Sequence, residues 1–61
     1  MMLATQDRPI RIGSQIQDGN DVGRVVAVID EWNQFTDDMN YVVAINWPDD
    51  MTTYHLLTEI K

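Results

Sequence analysis

Gly23-Arg24-Val25-Val26-Ala27-Val28-Ile29-Asp30 and Asn40-Tyr41-Val42-Val43-Ala44-Ile45-Asn46-Trp47 are the two stretches that decide the fold. Both are dense in β-branched and aromatic side chains and too short for a stable helix, so they predict two strands of one antiparallel hairpin. Side chains alternate across a strand. The polar members Arg24, Asp30 and Asn46 mark the outer face. The expected core rows are therefore Val25, Ala27 and Ile29 on the first strand, and Tyr41, Val43, Ile45 and Trp47 on the second. That assignment leaves Val26, Val28, Val42 and Ala44 together on the outside. An apolar patch of this kind marks a self-association surface. The alternative is geometric: a sharply bent sheet, or a covering N-terminal arm, buries both faces.

Outward from the hairpin, turn signals divide the rest of the chain. Residues 1–9, closed by Pro9, read as a flexible N-terminal arm, and residues 10–61 as a single barrel domain. Ile10-Arg11-Ile12 alternates like an extended segment, and Gln15-Ile16-Gln17 like a short strand. Asp18-Gly19-Asn20-Asp21 is hairpin-turn chemistry, since Gly and Asn accept positive φ. Pro48-Asp49-Asp50 ends the second long strand, with Pro presetting φ at a turn corner. Thr52-Thr53-Tyr54-His55 has strand propensity. Leu56-Leu57-Thr58 fits one 3-10 turn, and Glu59-Ile60-Lys61 a last short strand. The expected fold class is all-β: a small five-stranded barrel with a 3-10 turn before the last strand.

A chain of 61 residues buries only about 60% of its unfolded surface and is marginal as an isolated domain. It has no cysteine, which excludes disulfides, thiolate metal sites and cysteine nucleophiles, and its single histidine cannot build a His-rich metal site. No metal or cofactor is expected. No apolar run approaches the roughly 20 residues of a membrane span, and the first residues lack the basic start and apolar core of a signal peptide. The expectation is a soluble cytoplasmic protein. Charge is unevenly distributed. Residues 1–24 balance Asp7, Asp18 and Asp21 against Arg8, Arg11 and Arg24. Residues 25–60 carry seven carboxylates and no Lys or Arg, and Lys61 returns one positive charge, so the net charge of −6 belongs to the hairpin and the C-terminal third of the chain. Such a field attracts basic partners and repels nucleic acid.

The order of these signals resembles the small SH3-like barrels, the broad group that includes KOW and Tudor-type modules. The resemblance rests on Ile12-Gly13-Ser14-Gln15-Ile16, on Asp18 through Val26, on Val43-Ala44-Ile45-Asn46-Trp47-Pro48-Asp49-Asp50, and on the closing stretch Tyr54 through Ile60. It implies a fold and leaves function open, because such barrels bind nucleic acid, peptides or one another. The basic loops of nucleic-acid-binding members are missing between residues 25 and 60. A Tudor-type aromatic cage would draw on Trp47, Tyr54, Trp32 and Tyr41 with Asp49 or Asp50, although Trp47 and Tyr41 also read as ordinary core aromatics. The chain is also similar in size and ending to type II dihydrofolate reductases, whose pore carries a Val-Gln-Ile-Tyr stretch. Met51-Thr52-Thr53-Tyr54 keeps only the tyrosine, so their substrate contacts do not carry over.

The residues offer little for catalysis. Asp37-Asp38 and Asp49-Asp50 are sequence neighbours, and neighbours in an extended chain point in opposite directions. His55 has no evident nucleophile to activate and reads as a strand-edge histidine. The loop between the long strands stands out, because Trp32, Phe35 and Met39 sit among Asp30, Glu31, Asp37 and Asp38. Aromatics rimmed by charge describe a protein-contact hot spot; equally, Trp32 and Phe35 would serve as a cap over an open barrel end. The sequence therefore predicts a non-catalytic acidic interaction protein, of the kind phages and mobile elements use as accessories or inhibitors. It would bind a basic protein surface through Asp30, Glu31, Trp32, Phe35, Asp37, Asp38, Asp49 and Asp50. Two alternatives stand beside it: a KOW- or Tudor-like module using Arg8, Arg11 and Arg24, and a homo-oligomeric barrel with a ligand in its pore.

Overall fold

The structure, a computed structural model, describes residues 1–4, 9–33 and 38–61, with the backbone alone for 31–33, 38 and 39. Five strands follow in chain order: β1 (Met2–Ala4), β2 (Gln15–Asp18), β3 (Asp21–Asn33), β4 (Asp38–Asn46) and β5 (Thr52–Leu56). They form one antiparallel sheet in which every strand pairs with its sequence neighbour. The sheet curls into a half-barrel, and a single 3-10 turn, Leu57–Glu59, follows β5. The all-β class, the number of strands and the late 3-10 turn are as the sequence predicts.

Two strand assignments differ from expectation. Met2–Ala4, expected to be part of an arm, is a strand: it pairs with Asp18, Gln17 and Ile16 of β2. On its other side Lys61 N–H donates to Met2 O at 3.0 Å and Ala4 N–H donates to Lys61 O at 2.9 Å. The first and last residues thus meet in a short parallel bridge, Met2 against Ile60, where a separate terminal strand was expected. Ile10-Arg11-Ile12, expected to be extended, leads instead into a tight turn. Ser14 N–H donates to Arg11 O, Gly13 takes a φ of 96° at the third position, and Ser14 Oγ accepts from Arg11 N–H. A Gly there is what a type II turn requires. Hydrogen bonds from Gly13 N–H to Val25 O and from Val25 N–H to Ser14 O fasten this turn to β3. The buried Ser14 hydroxyl is therefore satisfied.

The inside of the curl holds the core: Ile16, Val25, Val43, Ile45 and Ile60, with Met2, Ala4, Ile10, Val28, Trp47 and Leu57 packed against it. On the two hairpin strands, Val28 is the one member of this core that was not in the expected rows. The cause for Val28 is a β-bulge. Val25 stands opposite Ile45, but Ala27 stands opposite Ala44, so Val26 is an extra residue. An extra residue reverses the alternation beyond it. Val28 consequently turns inward opposite Val43, while Ala27 and Ile29, expected in the core, turn outward opposite Ala44 and Val42. Tyr41 is also displaced from the expected core. It lies toward the end of the hairpin, beyond the last core row, and is exposed. The outer patch differs accordingly: Val28 leaves it, Ala27 and Ile29 join it, Val26 stays at 48% exposure, and Ala44 is buried at 3% between Ala27 and Tyr54. Among the described residues no helix is long and apolar enough to cross a membrane.

Candidate functional site

Two hairpin turns meet at one end of the curl. The first joins β2 to β3. Asp18 and Asp21 are directly opposed, so the loop is the two residues Gly19 and Asn20. Gly19 has a φ of 61°, and Asp50 is the only non-glycine residue with positive φ among the described residues. Positive φ at the first central residue alone is the type II′ pattern, whose twist matches the flanking strands. A direct consequence is that the side chains of Asp18 and Asp21 share one face as a cross-strand pair. Like charges in that position are destabilising, by roughly 0.2–1 kcal/mol.

The second turn joins β4 to β5. Asp50 N–H donates to Trp47 O and Trp47 N–H donates to Met51 O, each at 2.9 Å. Pro48 and Asp49 occupy the corners, and Asp50 comes next, in the left-handed region at φ 66°. This is the three-residue loop built from a type I turn and a G1 bulge, in which the last position favours glycine. Asp49 Oδ1 accepts from Met51 N–H at 3.2 Å, so one carboxylate oxygen braces the turn.

Between the two turns lies a groove of ≈ 460 Å3 lined by Asp18, Asp21, Trp47, Pro48, Asp49, Met51 and Thr53. That volume falls within the range of ligand-sized clefts, about 300–1,000 Å3. Three carboxylates line it, and among the described residues no Lys or Arg does. Trp47 supplies an aromatic wall, and its position is fixed from two directions. Gly23 lets the ring approach the β3 backbone: a methyl group at that position would stand 2.7 Å from Trp47 Cε3 and 2.6 Å from Ile45 Cγ2. On the other side Trp47 Nε1–H donates to Thr53 Oγ1 at 2.7 Å. Thr53 Oγ1 is in turn 2.7 Å from His55 Nε2, and His55 Nδ1 lies 3.5 Å from Glu59 Oε2. With the Thr53 oxygen already accepting from Trp47, its own proton is available to a neutral His55 at Nε2. The histidine is thereby the middle of a bracing chain, Trp47–Thr53–His55–Glu59, that ties the groove wall to the 3-10 turn.

The groove divides the residues expected to bind a partner. Asp49 lines it, and Asp50 shapes the turn beneath it. Asp30 is exposed opposite Tyr41, six residues along β4 from Trp47, which at about 3.3 Å per residue is roughly 20 Å away. Glu31 and Trp32 extend β3, and Asp38 opens β4, farther out on the same ribbon. Phe35 and Asp37 lie outside the described residues. The hairpin tip and the Asp49-Asp50 turn are thus at opposite ends of β4. Asp18 and Asp21, expected only as turn formers, are the groove's other two carboxylates. A signal for them was present: residues flanking a two-residue hairpin loop must face each other across the strands, and here both are acidic. Met1 N stands 3.2 Å from Asp18 Oδ1, an exposed contact of a type worth little energetically. Among the described residues no group of three or more His, Cys, Asp or Glu is arranged to hold a metal ion.

No known protein family matches this chain, and no curated protein or solved structure is significantly similar to it.

Proposed function

We propose that this protein is a non-catalytic interaction module whose acidic groove binds an Arg- or Lys-bearing segment of a basic protein partner. The observation that carries the reading is the convergence of Asp18, Asp21 and Asp49 on one groove walled by Trp47, with no Lys or Arg among the described residues that line it. A guanidinium or ammonium group in that position would meet carboxylates that accept charge-assisted hydrogen bonds and an aromatic face that attracts cations. The Asp18–Asp21 pair adds support. Opposed like charges cost stability locally, the exposed Met1 ammonium beside Asp18 offsets little of it, and a local rule broken in this way is a mark of functional positions. Phosphate groups would be repelled from the same surface. His55 is read as a bracing residue and not as an acid or base, since its two ring nitrogens face Thr53 and Glu59.

The test is a titration of the protein with an Arg-rich peptide, followed by tryptophan fluorescence and calorimetry. Asp21→Asn and Asp49→Asn should each weaken binding about 2- to 10-fold, and added salt should weaken it further. Equal affinity of all three proteins for the peptide, or binding indifferent to salt, would remove the groove from consideration.

A further inference from the structure

The two edges of the sheet are treated differently. At one edge β1 is covered by the chain's end, through the bonds of Met2 and Ala4 with Lys61. The other edge is β5, the terminal strand in the sheet order. Trp47 N–H donates to Met51 O, and the register then runs Asn46–Thr52, Ile45–Thr53, Ala44–Tyr54, Val43–His55, Val42–Leu56. In an antiparallel ladder the bonded pairs alternate, so Thr53 and His55 direct their backbone groups at β4. Thr52, Tyr54 and Leu56 direct theirs outward. Among the described residues nothing pairs with them there. Natural edges are guarded by Lys, Pro or a bulge, and Thr52–Leu56 contains none of these.

We infer that β5 is a self-pairing edge, at which two copies of this chain join antiparallel about a twofold axis through Tyr54. In that register Tyr54 faces Tyr54 of the second copy, and Thr52 faces Leu56. The three outward residues of each strand then exchange N–H and C=O groups in a six-bond ladder. The occupant is set by charge. A twofold contact sets each surface against itself, and this chain carries a net charge of −6, so most of its surface opposes such contact. The five residues of β5 carry no carboxylate, Lys or Arg, and form an uncharged strip at a sheet edge. A basic partner gains nothing from this strip, whereas a second copy meets no like charge along it. The side chains agree. Tyr54 is 65% exposed and Leu56 43%, and they continue rows running from Ala27 and Ala44, and from Ile29 and Val42, across the outer face. Pairing at β5 makes those rows continuous between the two copies and shelters apolar surface that one copy leaves in water.

Sedimentation velocity from micromolar concentration to about 1 mM tests this on the whole chain. The expected species shifts from 7.1 kDa toward twice that mass with concentration. The dimer should strengthen when salt is raised from about 0.05 M to about 0.5 M, because screening relieves repulsion between two acidic copies. The groove's affinity for a basic peptide should move in the opposite direction, so failure of either reading is recognisable separately. Tyr54→Lys, which opposes two cations at the axis, should weaken self-association at least tenfold, while Tyr54→Phe should preserve it. Amide exchange in the unsubstituted protein gives an independent readout: Tyr54 N–H should become protected as concentration rises, while Thr53 and His55 are already protected by β4. A 7.1 kDa species throughout overturns the inference, including one whose edge is filled only by an added strand-forming peptide. A dimer that survives Tyr54→Lys with Tyr54 N–H still exchanging freely overturns it as well.

Discussion

Replacing Gly23 with alanine tests the packing that positions the groove wall. Gly23 lies on β3 opposite Ile16, and its backbone is buried beneath the side chains of β4. A Cβ there would meet Ile45 Cγ2 at 2.6 Å, Trp47 Cε3 at 2.7 Å and Trp47 Cδ2 at 3.0 Å. Carbon atoms in contact prefer about 3.5–4.0 Å, so both neighbours must retreat by about 1 Å. Neither has an easy path. Ile45 is fully buried, and Trp47 is held by its bond to Thr53. Overpacking of this kind costs about 1–3 kcal/mol, against which the reduced entropy of the unfolded chain returns about 0.4–1 kcal/mol. The net expectation is a loss of roughly 1–2 kcal/mol. For a domain of this size that lowers Tm by about 4–16 °C. Urea unfolding followed by far-UV circular dichroism measures the stability, and tryptophan fluorescence of the folded protein reports whether the Trp47 ring has moved. An alanine variant at least as stable as the original, with an unchanged emission spectrum, would refute the close approach of β4 to Gly23.

Three other substitutions probe separate features. Val28→Lys should destabilise the fold by several kcal/mol, because it places a charge against the core, whereas Ile29→Lys should stay within about 0.5 kcal/mol; equal effects in urea unfolding would contradict the bulge at Val26. Thr53→Val leaves Trp47 Nε1–H and His55 without their shared partner and should cost about 1–3 kcal/mol, with a changed chemical shift of the indole proton. Asp50→Gly relieves the positive φ and should be neutral or stabilising by up to about 1 kcal/mol, while Asp50→Val should lose about 1–2 kcal/mol or more, as compared by thermal melts.

The sequence disclosed the strands more readily than their faces. Val, Ile and Trp at alternate positions announce β3 and β4, and Asp18-Gly19-Asn20-Asp21 and Pro48-Asp49-Asp50 announce the turns, because those residues act through local backbone preferences. The bulge at Val26 has no such signature. Val25, Val26, Ala27 and Val28 are all compatible with either face, and only the pairing with Ile45 and Ala44 decides which way each turns. Met2–Ala4 was illegible for a similar reason: three residues become a strand through partners on β2 and at Lys61, which are distant in sequence. For the groove, composition pointed to acidic surface but located it by sequence proximity, at the long hairpin loop. Folding instead brings the β2–β3 turn beside the β4–β5 turn, and so joins Asp18 and Asp21 to Asp49. His55 was legible only as a strand-edge histidine, and its contacts with Thr53 and Glu59 emerge from the fold.

The proposed engagement of a basic partner by the groove leaves a residue-by-residue signature. It is tested most directly by following the backbone amides and the Trp47 indole N–H by nuclear magnetic resonance as an Arg-rich peptide is added. Shifts are expected to saturate at Asp18–Asp21, at Trp47–Met51 and at the Trp47 indole, and to fade as salt is raised. Shifts confined to the hairpin tip around residues 31–39, or no saturable shift at all, would contradict it.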